Sequence, residues 1–250
     1  MRTAVKNIAK TLGLGVVKAD RLDQLKCIES ECDELFELFA RSYGIQNESR
    51  AQLKQDIFVL LETGFKKGGF FVEFGATNGV SLSNTYLLES HFEWSGILAE
   101  PAVIWHDELK KNRRAFIDTD CVWSESGRTL DFNMVDYSEL STISAFNNRD
   151  CHAASRKIGS SYKVNTISLL DLLRRYNAPK CIDYLSIDTE GSEFDILSKF
   201  DFDQYNIAII TCEHNFTQDR QKIYDLLTSK CYQRKFSGLS KWDDWYIRTR

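Results

Sequence analysis

The sequence predicts an α/β fold built on a mostly parallel sheet, and three observations carry that prediction. From Phe70 onward short apolar runs alternate with stretches of helical spacing, the pattern of a sheet with helices on both faces. The residues directly after those runs are glycines, carboxylates and amides, as expected where strands end at a ligand site. Two last strand-like segments, 232–236 and 245–248, are placed to close the sheet as a hairpin.

The elements follow in order. Residues 1–66 read as an N-terminal helical extension and 67–250 as the α/β domain. Residues 6–17 mix lysine with apolar side chains around Gly13 and Gly15, which weakens any long helix. Docking on the body or disorder is the favoured reading there, with a weak contact to a membrane surface as the alternative, because two lysines supply little of the charge such contacts use. Over 20–43, Leu22, Leu25, Ile28, Leu35, Leu38 and Phe39 fall near helical spacing, and over 50–65 so do Leu53, Ile57, Leu60 and Leu61. Strands are expected at 70–74, 96–99, 115–122, 182–187 and 206–212. Helices are expected at 83–92, 103–113, 169–176, 193–199 and 218–228.

Composition narrows the function. The chain has 250 residues, 43% apolar and 27% charged, ordinary values for a soluble domain. A net charge of −4 disfavours a nucleic-acid partner, which needs a basic face. No apolar run reaches the length of a membrane span and no signal peptide is apparent, so a cytoplasmic location is the simplest expectation. Seven cysteines without a C-x-x-C pair fit reduced thiols better than a disulfide framework or a zinc site.

The densest chemical signal is the stretch from Gly68 to Gly79, in which the apolar strand ending at Phe74 carries Glu73 and then breaks into a small-residue turn. Gly75 and Gly79 can take positive φ and keep no Cβ between backbone and ligand. The pattern Glu73-x-Gly75-Ala76-x-x-Gly79, with Asn78 inside it, resembles the cofactor loop of S-adenosylmethionine-dependent methyltransferases more than a dinucleotide loop. A carboxylate at Glu73 repels a pyrophosphate but suits the cationic ammonium and sulfonium of S-adenosylmethionine. Glu100 stands 25 residues after Gly75 at the next strand end, where it can accept hydrogen bonds from both ribose hydroxyls. Asp120 and Val122 lie at the end of the third strand and are expected beside the cofactor.

On the acceptor side, Asp188 and Glu190 follow the fourth strand, and Glu213 and His214 the fifth. Asp188 and Glu190 can orient a hydroxyl, take its proton or bind a divalent cation, while Glu193 suits a helix N-terminus. An imidazole near its ordinary pKa makes His214 a candidate general base.

Taken together, these blocks resemble the FkbM-type family of S-adenosylmethionine-dependent methyltransferases. The resemblance spans about 70–246 and rests on F-V-E-F-G-A-T-N-G-V-S-L-S-N-T-Y-L-L-E, W-S-G-I-L-A-E-P, I-D-T-E-G-S-E-F-D-I-L, the C-E-H-N at 212–215 and the closing W-D-D-W-Y. It implies the Rossmann-like class I methyltransferase sheet of seven strands, and S-adenosylmethionine held by Glu73, Gly75, Ala76, Asn78, Gly79 and Glu100, with Asn84 and Thr85 supporting the loop. Asn78 stands where the family usually has aspartate. The implied reaction is O-methylation, most readily of a sugar hydroxyl in a glycan or glycolipid and alternatively of a polyketide-like natural product, with His214 or Asp188 as base and Glu190 and Glu213 holding the acceptor. A magnesium-assisted variant would use Asp188, Glu213 and His214, a set similar to the site of macrocin-type sugar O-methyltransferases. The competing class is a methyltransferase-like scaffold without catalysis. A nicotinamide-dependent oxidoreductase ranks lower, because the loop lacks the third glycine of a dinucleotide site. Neither the acceptor's identity nor the oligomeric state is encoded legibly.

Overall fold

The computed structural model describes residues 42–135, 142–143 and 159–249. Residues 6–17 and 20–41, and with them the membrane-contact and first-helix expectations, lie outside the described residues, as do Cys27, Cys32 and Cys151. Gln46–Arg250 forms one compact unit, and it holds every element named below.

The unit opens with helix α1 (Gln55–Glu62), shorter than the apolar spacing of 50–65 predicts. The start is delayed because Lys54 sits in the left-handed region at φ 65 and Ala51 is bridged to Leu82. Strand β1 (Phe70–Phe74), helix α2 (Tyr86–Phe92), strand β2 (Ser95–Ala99), a 3-10 turn at Val103–Trp105, helix α3 (His106–Asn112) and strand β3 (Phe116–Asp118) follow. The next four strands are β4 (Cys121–Trp123), β5 (Thr129–Val135), β6 (Thr142–Ile143) and β7 (Gly159–Ser168). The α/β alternation then resumes with α4 (Leu169–Arg175), β8 (Cys181–Ile187), α5 (Glu193–Lys199), β9 (Asn206–Glu213), α6 (Asp219–Ser229), β10 (Tyr232–Lys235) and β11 (Asp243–Arg248).

Seven strands form one mixed, mostly parallel sheet in the order β10-β11-β9-β8-β1-β2-β3. The expected C-terminal hairpin is present, with β10 and β11 antiparallel and β11 also antiparallel to β9. Phe71, Val72, Glu73 and Phe74 are all buried, and successive strand residues point to opposite faces, so both faces of β1 are covered. One large cluster joins Val72, Ile97, Leu185 and Ile210 of the sheet to Leu172 and Leu173 of α4, Ile196 and Leu197 of α5, and Ile223 and Leu227 of α6.

Two features depart from expectation. The predicted strand over 115–122 is two strands in different sheets: β3 ends at Asp118, whose Oδ1 accepts the Asp120 N–H at 2.8 Å, and β4 then pairs with β7. Between β3 and α4 lies a second, four-stranded sheet ordered β4-β7-β5-β6, which the sequence pattern did not announce. It has its own small apolar cluster of Ala102, Cys121, Phe132, Ile143 and Val164. The chain runs from β1 through β2 to β3 on one side and returns at β8 on the other, so the topological switch point, where open α/β sheets bind ligands, falls between β1 and β8. Among the described residues the four cysteines are free thiols, and no helix is long and apolar enough to cross a membrane.

Candidate active site

At the switch point β1 and β8 end so close together that only glycine fits. Gly75 adopts φ 73, and a Cβ there would lie 2.2 Å from the Asp188 carbonyl oxygen. The turn that follows is fastened from three directions. Asn78 Oδ1 accepts the Val80 and Ser81 N–H groups at 3.0 and 2.9 Å, Arg113 Nη1 donates to the Gly79 carbonyl at 2.9 Å, and the Thr77 N–H donates to Glu100 Oε2 at 2.8 Å.

Glu73 is occupied more by the protein than expected. Its Oε1 accepts the Asn84 N–H at 2.7 Å, while Oε2 accepts from Ser83 Oγ and Thr85 Oγ1. Buried Arg113 stands 3.7 Å from it and donates from Nε to Glu89 at 2.9 Å. Glu73 is thereby tied to Asn84 and Thr85, the two residues the resemblance assigns to loop support, and Glu73 and Asn84 also border the cavity above the turn.

That cavity measures about 360 Å³. On one side Glu73, Gly75, Thr77 and Glu100 face it, with Pro101, Cys121, Val122, Phe132 and Ile143 as an apolar wall. Glu100 is buried, and its Oε1 accepts the Ala102 N–H at 2.7 Å. Burial pushes its pKa up to about 7, against the pull of the two amides that donate to it.

On the other side Asp188, Glu190 and Glu213 meet, each offering an oxygen within 4.8 Å of the others. Asn215 Nδ2 ties two of them together, 2.8 Å from Glu213 Oε2 and 3.4 Å from Glu190 Oε2. Burial holds the Glu213 carboxyl well above the usual range, and the neighbouring charges of Asp188 and Glu190 push it in the same direction. Asp243, one layer deeper, is raised to about 8 chiefly by burial, with its Oδ2 accepting from Gln55 Nε2 at 2.9 Å. Glu193 Oε1 accepts the Thr189 and Gly191 N–H groups, both at 3.0 Å, so its side chain fixes the loop that leads into α5.

The structure thus brings Glu73, Gly75, Glu100, Val122, Asp188, Glu190 and Glu213 to one cavity, with Ala76, Asn78 and Gly79 forming the turn behind it. Two expected residues are elsewhere. Asp120 is turned away from the cavity to Arg175, with its Oδ2 2.8 Å from Nη1. His214 borders a second cavity with its ring buried. Nδ1 already accepts the Phe216 N–H at 3.0 Å, and Nε2 lies 3.8 Å from Asp244 Oδ1. Burial lowers its pKa to about 4, and taking a proton at Nδ1 would break the Phe216 bond, so His214 is not placed as the base expected of it. It does not join the metal-capable set either, where Glu190 stands instead.

Several lining residues were not identified from sequence. Thr77 carries its contact through a backbone amide, and Phe132 and Ile143 belong to the unforeseen second sheet. Trp242, the first residue of the closing W-D-D-W-Y block, borders the cavity with exposed Phe216 and Leu82.

Residues 73–244 match the family described as the methyltransferase FkbM domain. No curated protein matches the chain. Among solved structures, the methyltransferase FkbM of Methylobacillus flagellatus KT is similar at 15% identity and a TM-score of 0.47, over 73% of this chain and 44% of that one. The chain therefore spans less than half of that protein's length.

Proposed function

The chain belongs to the FkbM methyltransferase domain family, and from that premise we propose that it transfers a methyl group from S-adenosylmethionine to a hydroxyl oxygen, on a sugar of a glycan or glycolipid. The observation that carries this reading is the single cavity with a glycine turn and Glu100 on one side and three converging carboxylates on the other.

The residues suit the cofactor. Asn84 Oδ1 is buried with no hydrogen-bond partner and its side chain borders the cavity, so it is an acceptor for the ammonium group. Glu100 would hold the ribose hydroxyls, and Val122, Phe132 and Ile143 the base. When bound, S-adenosylmethionine supplies a sulfonium-linked methyl group as electrophile. The chain's own contribution is positioning and proton transfer, since a sugar hydroxyl is a weak nucleophile until its proton leaves. Asp188 is the base in this reading, with Glu190 and Glu213 orienting the hydroxyl. Glu213, whose pKa burial raises, can retain a proton and donate a hydrogen bond to the acceptor.

A second reading shares the same residues. An all-carboxylate set of Asp188, Glu190 and Glu213 fits Mg²⁺ better than a set containing histidine, because Mg²⁺ favours oxygen ligands. A cation there would lower the pKa of an acceptor hydroxyl. Magnesium should then raise the melting temperature of the wild type and leave that of Asp188→Asn unchanged; equal responses would remove the metal.

The cofactor assignment is tested by calorimetric titration with S-adenosylmethionine and S-adenosylhomocysteine. Micromolar binding to the wild type that Glu100→Ala loses is expected. No binding to the wild type would favour the scaffold alternative. In Asp188→Asn, single-turnover methyl transfer should fall about 10²-fold or more while cofactor affinity holds; undiminished transfer would take the base role from Asp188.

A further inference from the structure

The first cavity, about 360 Å³, lies at the low end of the roughly 300–1,000 Å³ that one small-molecule ligand occupies. Filled by the cofactor, it leaves little room for a second molecule. A second cavity of about 450 Å³ adjoins it, and the two share Glu213, Asn215 and Phe216 as walls. Glu213, one of the three carboxylates that would handle a reacting hydroxyl, therefore stands at the junction of two compartments, with Asp188 and Glu190 on the first-cavity side.

Phe216 is the unusual member of that partition. It is 68% exposed, an orientation that discards the burial an aromatic ring normally gains. Its backbone is held at φ 55, directly after Asn215 at φ 42, and consecutive non-glycine residues in the left-handed region are uncommon. His214 maintains this arrangement: Nδ1 accepts the Phe216 N–H, and the two rings pack edge to face at 5.1 Å. A strained backbone that presents an aromatic ring to solvent at the mouth of a site is a binding device.

The chemistry of the second cavity specifies what would stack there. Asn215, Thr217 and Gln218 offer amide and hydroxyl groups. Among the described residues its charged walls are Glu193, Glu213, Asp219 and Lys222, and Lys222 is already paired with Asp219 at 2.6 Å. Among the described residues the first cavity has no lysine, arginine or histidine in its walls. Resting on the methyl-transfer reading above, we propose that the second cavity is the acceptor subsite and that it takes an uncharged polyhydroxylated ring, its face against Phe216 and its reacting hydroxyl directed past Glu213. A uronate or sugar phosphate would bring negative charge against Glu193, Glu213 and Asp219, while Lys222 is already paired with Asp219.

The test is saturation-transfer NMR on protein loaded with S-adenosylhomocysteine. Methyl glucoside, methyl mannoside and methyl rhamnoside serve as neutral probes, with methyl glucuronoside and glucose 6-phosphate as anionic ones. At least one neutral glycoside should receive saturation on its ring protons, the anionic probes should not, and Phe216→Ala should weaken the neutral probe about tenfold, as expected for loss of one aromatic contact. Phe216→Trp should restore it. Anionic probes that bind as well as neutral ones, or neutral binding that survives Phe216→Ala, would overturn the proposal. Titration of the wild type with S-adenosylhomocysteine separates the two readings. Failure to bind it removes the cofactor site, whereas a protein that binds it but takes up no neutral glycoside removes the acceptor subsite alone.

Discussion

Gly75 tolerates no side chain, because its Cβ would enter the Asp188 backbone and its φ of 73 is unfavourable for any other residue. Gly75→Ala should cost about 1–3 kcal/mol from strain and displace the β8 end. Urea denaturation and cofactor titration should both register it, and an unchanged midpoint with full affinity would mean the two strand ends separate freely. Arg113 is the opposite case, a residue whose importance lies in charge. Its guanidinium is enclosed by Glu73, Glu89, Ser83 and Thr85, so Arg113→Ala leaves Glu73 and Glu89 buried without the guanidinium they share. A loss of about 3–5 kcal/mol is expected by the same denaturation assay. Glycine at 75 was legible from the sequence, since a strand breaking into G-A-T-N-G has few other uses. Arg113 was not, because nothing in its local spacing indicates which carboxylates it will meet.

At the scale of elements, the first sheet and its helices were read from local pattern, while the second sheet was not. Strand β7 pairs with β5 over seven positions from Thr129↔Asn165 to Val135↔Gly159; Leu130, Phe132 and Met134 do alternate with polar residues in TLDFNMV, but that local alternation does not show that the partner strand lies in a distant segment. Phe132 and Ile143 of this sheet nevertheless close the wall of the cavity where the cofactor is proposed to sit. Phe132→Ala should weaken S-adenosylhomocysteine binding about tenfold or more by opening that wall, alongside a stability loss of about 3–5 kcal/mol. Affinity unchanged in the folded variant would detach the second sheet from cofactor binding.

Over the whole molecule the burial of carboxyl groups sets a pH dependence. Asp56, Glu100 and Asp243 have pKa values raised by burial to about 6, about 7 and about 8. The folded protein therefore holds protons that the unfolded chain releases, and the associated stability, complete below the ordinary carboxyl pKa of about 4, is lost as pH rises towards about 8. The urea midpoint should fall between about pH 5.5 and about pH 8.5, and Asp243→Asn should flatten the upper part of that decline; a midpoint that rises with pH would contradict the burial of these groups. What the sequence by itself determined were the properties written in neighbouring residues: the alternation of strands and helices, the glycine turn after β1, the acidic ends of β8 and β9, and the family blocks that contain them. Only the tertiary structure decided which of those residues meet. Glu190 rather than His214 completes the carboxylate cluster, Asp120 turns to Arg175, and Phe216 comes to stand between two cavities. The physical reason is that strand ends are local, whereas the direction of a side chain beyond them depends on hydrogen bonds and burial supplied by distant segments: Arg175 lies 55 positions from Asp120, and Asp244 lies 30 positions beyond the His214 ring it faces.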